Sequence, residues 1–163
     1  MTISGELLRE IMRGVPSPVG VLVTAVDSGY RGMTASSMTS VSLAPALISF
    51  NVRTGSQFDV ALQGSQTFTY NLLAADQRAT ALHFAASGLT AAAQFADTTL
   101  RTETDGAAWL PGVVSWLHCR EIARHRAGDH EVVIGAVTSA RRLTDASPLV
   151  IYQGELRPVD DDD

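Results

Sequence analysis

The sequence predicts a mainly β domain, an antiparallel barrel or sandwich with a few short helices. Three observations carry that expectation. Two segments alternate apolar and polar residues with period two, further apolar runs have the length of a strand, and no regular helix stands between successive strands. A parallel, doubly wound sheet would need such crossover helices. The 163 residues amount to one domain and are enough to bury a core. Residues 1–159 are assigned to that single domain and 160–163 to an acidic, solvated tail.

Residues 4–13 predict a short amphipathic helix, with Leu7, Leu8, Ile11 and Met12 at helical spacing and Gly14, Pro16 and Pro18 ending it. The run 19–26 is continuously apolar and bounded by turn residues, which fits a strand buried on both faces. Asp27-Ser28-Gly29 is a turn, and 31–37 returns as the second strand of a hairpin. In 47–52, Ile48, Phe50 and Val52 oppose Ser49 and Asn51. In 67–72, Phe68, Tyr70 and Leu72 oppose Thr67, Thr69 and Asn71. Each reads as a strand covering a core on one side. Residues 56–63 predict a short helix, and 75–86 another with Ala75, Ala79, Leu82 and Ala86 on one side. Residues 113–122 and 132–141 read as long strands and 148–152 as a short last one, six or seven strands in all. The 100–112 segment, which holds Trp109, matches no pattern.

Charge and composition narrow the function. The formal charge is −5, and four of the seventeen acids lie in 160–163, so the rest is close to neutral and offers no basic surface for duplex nucleic acid. No apolar run approaches the roughly eighteen residues of a membrane span. Glu6, Arg9 and Glu10 make the first residues unlike a secretory leader. The one cysteine, Cys119, cannot form an intrachain disulfide; it fits a reducing cytoplasm and reads as a packed thiol. There is no lysine for Schiff-base chemistry, no glycine-rich phosphate loop, no dinucleotide fingerprint and no nucleophile elbow. His83, His118, His125 and His130 are scattered, away from metal-ligand spacing.

Three polar groups remain. In 32–42 six of eleven residues carry hydroxyls and none is charged, which reads either as a strand end and loop or as small side chains that let a flat ligand lie on donor-rich backbone. Arg53, Thr54, Gly55, Ser56 and Gln57 precede the 56–63 helix; Ser56 is either an ordinary N-cap or part of a phosphate site at a helix N-terminus. Gly128-Asp129-His130 enters a strand and reads as a turn with a surface histidine or as a functional one.

These residues resemble the flavin reductase-like, FMN-binding family, the short-chain reductase partners of two-component monooxygenases. Pro18-Val19-Gly20-Val21 and Gly32-Met33-Thr34-Ala35-Ser36-Ser37 carry the likeness first. Asn51 to Ser56, Tyr70-Asn71-Leu72-Leu73, Phe84-Ala85 with Phe95, Gly128-Asp129-His130 and the 148–152 strand follow in the family's order, over roughly residues 10–155. Ala44-Pro45-Ala46 and Thr54-Gly55 depart from the family's usual residues. The resemblance implies a split β-barrel of Greek-key, FMN-binding type, a homodimer, FMN or FAD as flavin and NADH or NADPH as hydride donor. It implies that Thr34, Ala35, Ser36 and Ser37 line the flavin with Ser40 and Val41 close behind. Asn51, Arg53, Ser56 and Gln57 then lie on the phosphate side, Phe84 near the cofactor, and His130 by the nicotinamide or flavin ring. The expected activity is hydride transfer from NADH or NADPH to the flavin, which then supplies a partner monooxygenase; it needs no obligatory general acid or base, since the cofactors carry the chemistry. A flavin-binding electron carrier or redox sensor on the same fold is the alternative.

Overall fold

The computed structural model describes residues 2–159. The elements run α1 (Gly5–Met12), β1 (Ser17–Pro18), β2 (Gly20–Val26), β3 (Gly29–Ala35), β4 (Thr39–Leu43), β5 (Ala46–Arg53), α2 (Gln57–Ser65), β6 (Thr67–Leu72), α3 (Arg78–Ala85), α4 (Ala91–Gln94), β7 (Arg101–Thr102), β8 (Ala108–Trp109), β9 (Ser115–Ala127), β10 (His130–Arg142), β11 (Leu149–Tyr152) and β12 (Glu155–Pro158). The acidic tail assigned to 160–163 lies outside the described residues.

A seven-stranded antiparallel sheet, ordered β3-β2-β6-β9-β10-β5-β4, curls around an inner core without closing; β1, β11 and β12 form a smaller sheet. This open, rolled sheet is the split barrel. The continuous apolar run of β2 follows from its place between two cores. Leu22 faces the inner cluster with Phe50, Phe68 and Tyr70, while Val21 and Val23 face an outer cluster with Phe84, Leu110 and Leu149. The inner rings meet edge to face, Phe50 on Phe68 at 5.0 Å and on Phe58 at 6.3 Å between centroids.

Glycine makes room for these rings where they cross a strand. A Cβ on Gly135 would lie 2.5 Å from the Phe68 ring, and a Cβ on Gly20 or Gly32 would clash with Tyr70 or Phe84.

Strand β6 departs from the expected one-sided burial. Thr69 and Asn71 are as buried as Phe68 and Tyr70. The 100–112 segment lies over them: the Ala108 amide donates to Thr69 Oγ1 at 3.2 Å and the Leu110 amide to Asn71 Oδ1 at 2.9 Å. The polar half of the alternation is therefore an anchor for an overlying segment, not a solvent face. Trp109 of that segment stacks on Trp116 and donates its Nε1 hydrogen to Glu103.

The second helix face also differs from expectation. Helix α3 starts at Arg78, because Gln77 turns its side chain back to accept the Ala74 amide. It buries Ala81 and Phe84 and leaves Leu82 54% exposed. The seat for Phe84 on Gly32 sets that rotation, overriding the weak alanine-rich pattern. Strands β1, β7 and β8 were not foreseen, nor were β4 and β12. Of these, β4 is a polar edge strand and β12 follows a tight turn at Gln153-Gly154, whose φ angles are +54° and +81°.

Candidate functional site

Strand β3 ends at Ala35, and the chain then bends away from the sheet toward β5. Ser37 fastens it there. Its Oγ accepts the Asn51 amide at 2.9 Å. The bend creates a cleft of about 540 Å³ lined by Met33 to Ser37, by Asn51 and Arg53 of β5, and by Ala127, His130 and Val132 of the β9–β10 hairpin. Arg53 and His130 are direct partners across the β5–β10 ladder, so pairing alone brings them together over 77 residues of sequence.

The cleft is rich in donors. The amides of Ser36, Ser37 and Met38 and the Ser36 hydroxyl have no hydrogen-bond partner among the described residues. Arg53 forms no ion pair among them either. His130 Nδ1 lies 2.8 Å from Asp129 Oδ1, which leaves Nε2 to the cleft. The hydrogen bond and charge of His130 hold the Asp129 carboxyl below the usual carboxylate range. Cys119 is fully buried elsewhere in the core, where desolvation pushes its thiol up to about 12.

A family model of the flavin reductase-like domain matches residues 12–160. This chain belongs to the flavin reductase-like family. An NADH-dependent flavin reductase of a Rhodococcus species is 33% identical over 156 residues, covering 94% of this chain and 85% of that protein. An NADH:FMN oxidoreductase of Rhodococcus erythropolis is 37% identical over 145 residues, covering 85% and 74%. Among solved structures, an NADH:FAD oxidoreductase of Streptomyces globisporus, in complex with NAD and FAD fragments, aligns with TM-score 0.89 at 28% identity over 99% of this chain and 98% of that one. The flavin reductase component of a bacterial two-component tryptophan halogenase aligns with TM-score 0.89 at 30% identity over 98% and 100%.

For a member of the flavin reductase-like family, the donor set fits the cofactor. Small side chains at 35–37 leave backbone amides accessible to a flat ring, and Arg53 offers a cation in the same cleft. The residues singled out from sequence divide into groups. Thr34, Ala35, Ser36, Ser37, Asn51, Arg53 and His130 share the cleft. Thr34 lends only its backbone, since its hydroxyl donates to Ala81 O at 2.7 Å. Ser56, Gln57 and Phe84 line a neighbouring cavity of about 360 Å³ that shares Met33 with the cleft. Ser56 is the N-cap of α2, accepting the Asp59 amide at 3.2 Å. Phe84 is 3% exposed and packs on Gly32 and Phe95, so it forms the floor of that cavity. Ser40 and Val41 stand on β4 outside both spaces, with Val41 the extra residue of a bulge opposite Ile48 and Leu47.

One wall was missed in the sequence. Arg9 and Met12 of α1 and Arg13 at its C-cap, with Ser17 and Pro18, bound a cavity of about 820 Å³ that shares Ser36, Ser37 and Asn51 with the cleft. The arginines four apart were the available signal, but nothing local ties α1 to a segment twenty-five residues further on.

Proposed function

We propose that this protein is an NADH-dependent flavin reductase that passes reduced flavin to a partner monooxygenase. The observation that carries the reading is the convergence of 34–37, Asn51, Arg53 and His130 on one cleft with three amides that have no partner among the described residues. The relatives' names support NADH as donor and both FMN and FAD as acceptor. A 30% identical relative from Thermus thermophilus is the reductase component of 4-hydroxyphenylacetate 3-monooxygenase, which supports an oxygenase as the consumer.

When bound, the flavin accepts a hydride from the nicotinamide and makes two electrons available to the partner. The chain's own work is positioning. The amides of 36–38 would hold the acceptor edge of the ring, where they favour a form that gains negative charge. Arg53, with Asn51 beside it, would hold the phosphate side, and Ser56 and Gln57 extend that side through the neighbouring cavity. His130, steadied by Asp129, would stand beside the nicotinamide and act by placement, because hydride transfer needs no obligatory proton donor there. A homodimer is part of this reading. Leu7, Leu8, Ile11 and Met12 on α1 are all exposed, and Leu43 on β4 is 91% exposed; packing against a second copy would cover them. The lone buried thiol suits a reducing cytoplasm. No helix among the described residues is long and apolar enough to cross a membrane.

The test is NADH oxidation by purified protein with FMN, FAD or riboflavin added in turn. Flavin-dependent oxidation well above the uncatalysed rate is expected. No oxidation, together with flavin raising the melting temperature, would instead identify a flavin-binding carrier.

A further inference from the structure

Asp59 is a buried carboxylate, 1% exposed, in the first turn of α2. Its two oxygens reach in different directions. Oδ2 accepts the Gly55 amide at 2.8 Å. Oδ1 takes Nη1 of Arg124, which β9 projects toward the helix. Arg124 is itself forked onto Glu121, with Nε 2.8 Å from Oε1 and Nη2 2.9 Å from Oε2. Burial pushes the Asp59 carboxyl up, but the Gly55 amide and the Arg124 guanidinium outweigh it and hold it below the usual carboxylate range. A buried ion pair is a weak source of net stability, because desolvation of both charges offsets most of their attraction. What it supplies is a fixed geometry.

The group that Asp59 holds belongs to the turn between β5 and α2. Gly55 has φ +73° and separates Arg53, which lines the cleft, from Ser56, the cap of α2. The β9–β10 hairpin holds the turn from its other flank: the Thr54 amide donates to Asp129 O at 3.0 Å, and Thr54 Oγ1 to Glu131 Oε1 at 3.3 Å. At the head of α2, the Gln57 and Phe58 amides have no acceptor among the described residues. Without Asp59, the turn that places these donors would be anchored on one side only.

We propose that the Asp59–Arg124 pair is a positioning device for the phosphate end of the flavin. It fixes the 53–57 turn so that Arg53 and the first amides of α2 meet a phosphate monoester, without itself touching the ligand. The proposal rests on the flavin reductase reading above. It is charge-specific: with Arg124 removed, Asp59 leaves an uncompensated negative charge behind the phosphate side.

The test is flavin binding by the full chain, followed by quenching of flavin fluorescence, with FMN and riboflavin as probes. The two share the ring and ribityl chain and differ in the phosphate. In Asp59→Asn and Arg124→Gln, the FMN dissociation constant is expected to rise about tenfold while that of riboflavin stays within about twofold. Arg124→Lys keeps the charge and is expected to recover most of the FMN affinity. Should either of the first two variants fail to melt cooperatively, Arg124→Lys decides, with an expected FMN weakening of about threefold and unchanged riboflavin binding. Parallel weakening of both flavins, or an unaltered FMN preference in folded variants, overturns the positioning role alone. A wild-type protein that binds FMN no more tightly than riboflavin overturns the phosphate assignment, and one that binds neither overturns the flavin reductase reading.

Discussion

The side chain of Gln94 replaces a neighbouring strand at Gly32. Its Oε1 accepts the Gly32 amide and its Nε2 donates to the Gly32 carbonyl, each at 3.1 Å. Strand β3 is an edge of the main sheet, and this clamp, reinforced by Arg31 bonding to Gln94 and to Leu89 O, satisfies backbone that would otherwise be open to another chain. It also steadies the strand whose end forms the cleft.

Gln94→Ala is therefore expected to leave two buried backbone groups unpaired and to lower stability by about 2–4 kcal/mol. Urea unfolding followed by circular dichroism measures it. A change below half a kilocalorie, the usual reach of a surface substitution, would mean that the clamp contributes little.

Gly135→Ala places a methyl group 2.5 Å from the Phe68 ring and 3.1 Å from Cys119 Cβ. Overpacking of this kind costs about 1–3 kcal/mol. Phe68→Leu destabilises the parent but is expected to do less harm, or to stabilise, once Ala occupies 135. A double-mutant cycle on thermal unfolding reads the coupling, and strict additivity would mean that the ring does not set the requirement for glycine.

His118 is 8% exposed and shares a hydrogen bond of 3.0 Å with Thr69 Oγ1, the atom that also anchors the Ala108 amide. Burial lowers its pKa below the ordinary 6.5, against the opposing pull of the Asp105 carboxylate. The folded state thus disfavours the protonated form. Its contribution to stability is complete above about 6.5, declines as pH falls from there toward the lower folded value, and is gone below that. Melting temperature measured across that window is expected to fall, and His118→Asn to flatten the profile. An identical pH dependence in the variant would assign the effect elsewhere. Asp59, Asp105 and Asp129 are all lowered from 3.8, so their own losses belong to more acidic solutions.

His130→Ala is expected to reduce kcat or raise the KM for NADH by less than about a hundredfold, below the range of a general acid–base group, while flavin affinity survives. Steady-state kinetics together with a flavin titration separate the two effects. Loss of flavin binding in that variant would make His130 a cofactor ligand and not a nicotinamide neighbour.

Much of this protein was legible in its residues because local pattern reports local environment. The alternation in 47–52 places Ile48, Phe50 and Val52 in the core as expected, and the unbroken run of β2 reflects burial on both faces. The resemblance carried by 32–37 and 128–130 pointed to the family that the whole-chain match establishes. Pattern failed where a residue answers to a distant partner. Thr69 and Asn71 are polar in sequence yet buried, because their acceptors serve the 105–112 segment some 39 residues away. The face of α3 was misjudged because a glycine on another strand, not the helix's own periodicity, sets where Phe84 goes.

The sequence by itself determined the main strands of the large sheet, which of their residues are apolar enough to be inside, and which polar stretches are unusual enough to mark a site. Only the tertiary structure decided that Arg53 and His130 lie side by side, that Ser37 straps β3 to β5, and that Ser56 and Gln57 face a different cavity from Ser36. The reason is physical. Strand and core preference arise from each residue's own conformational and hydration free energy, whereas pairing register and cleft shape arise from how the rolled sheet brings distant segments into contact.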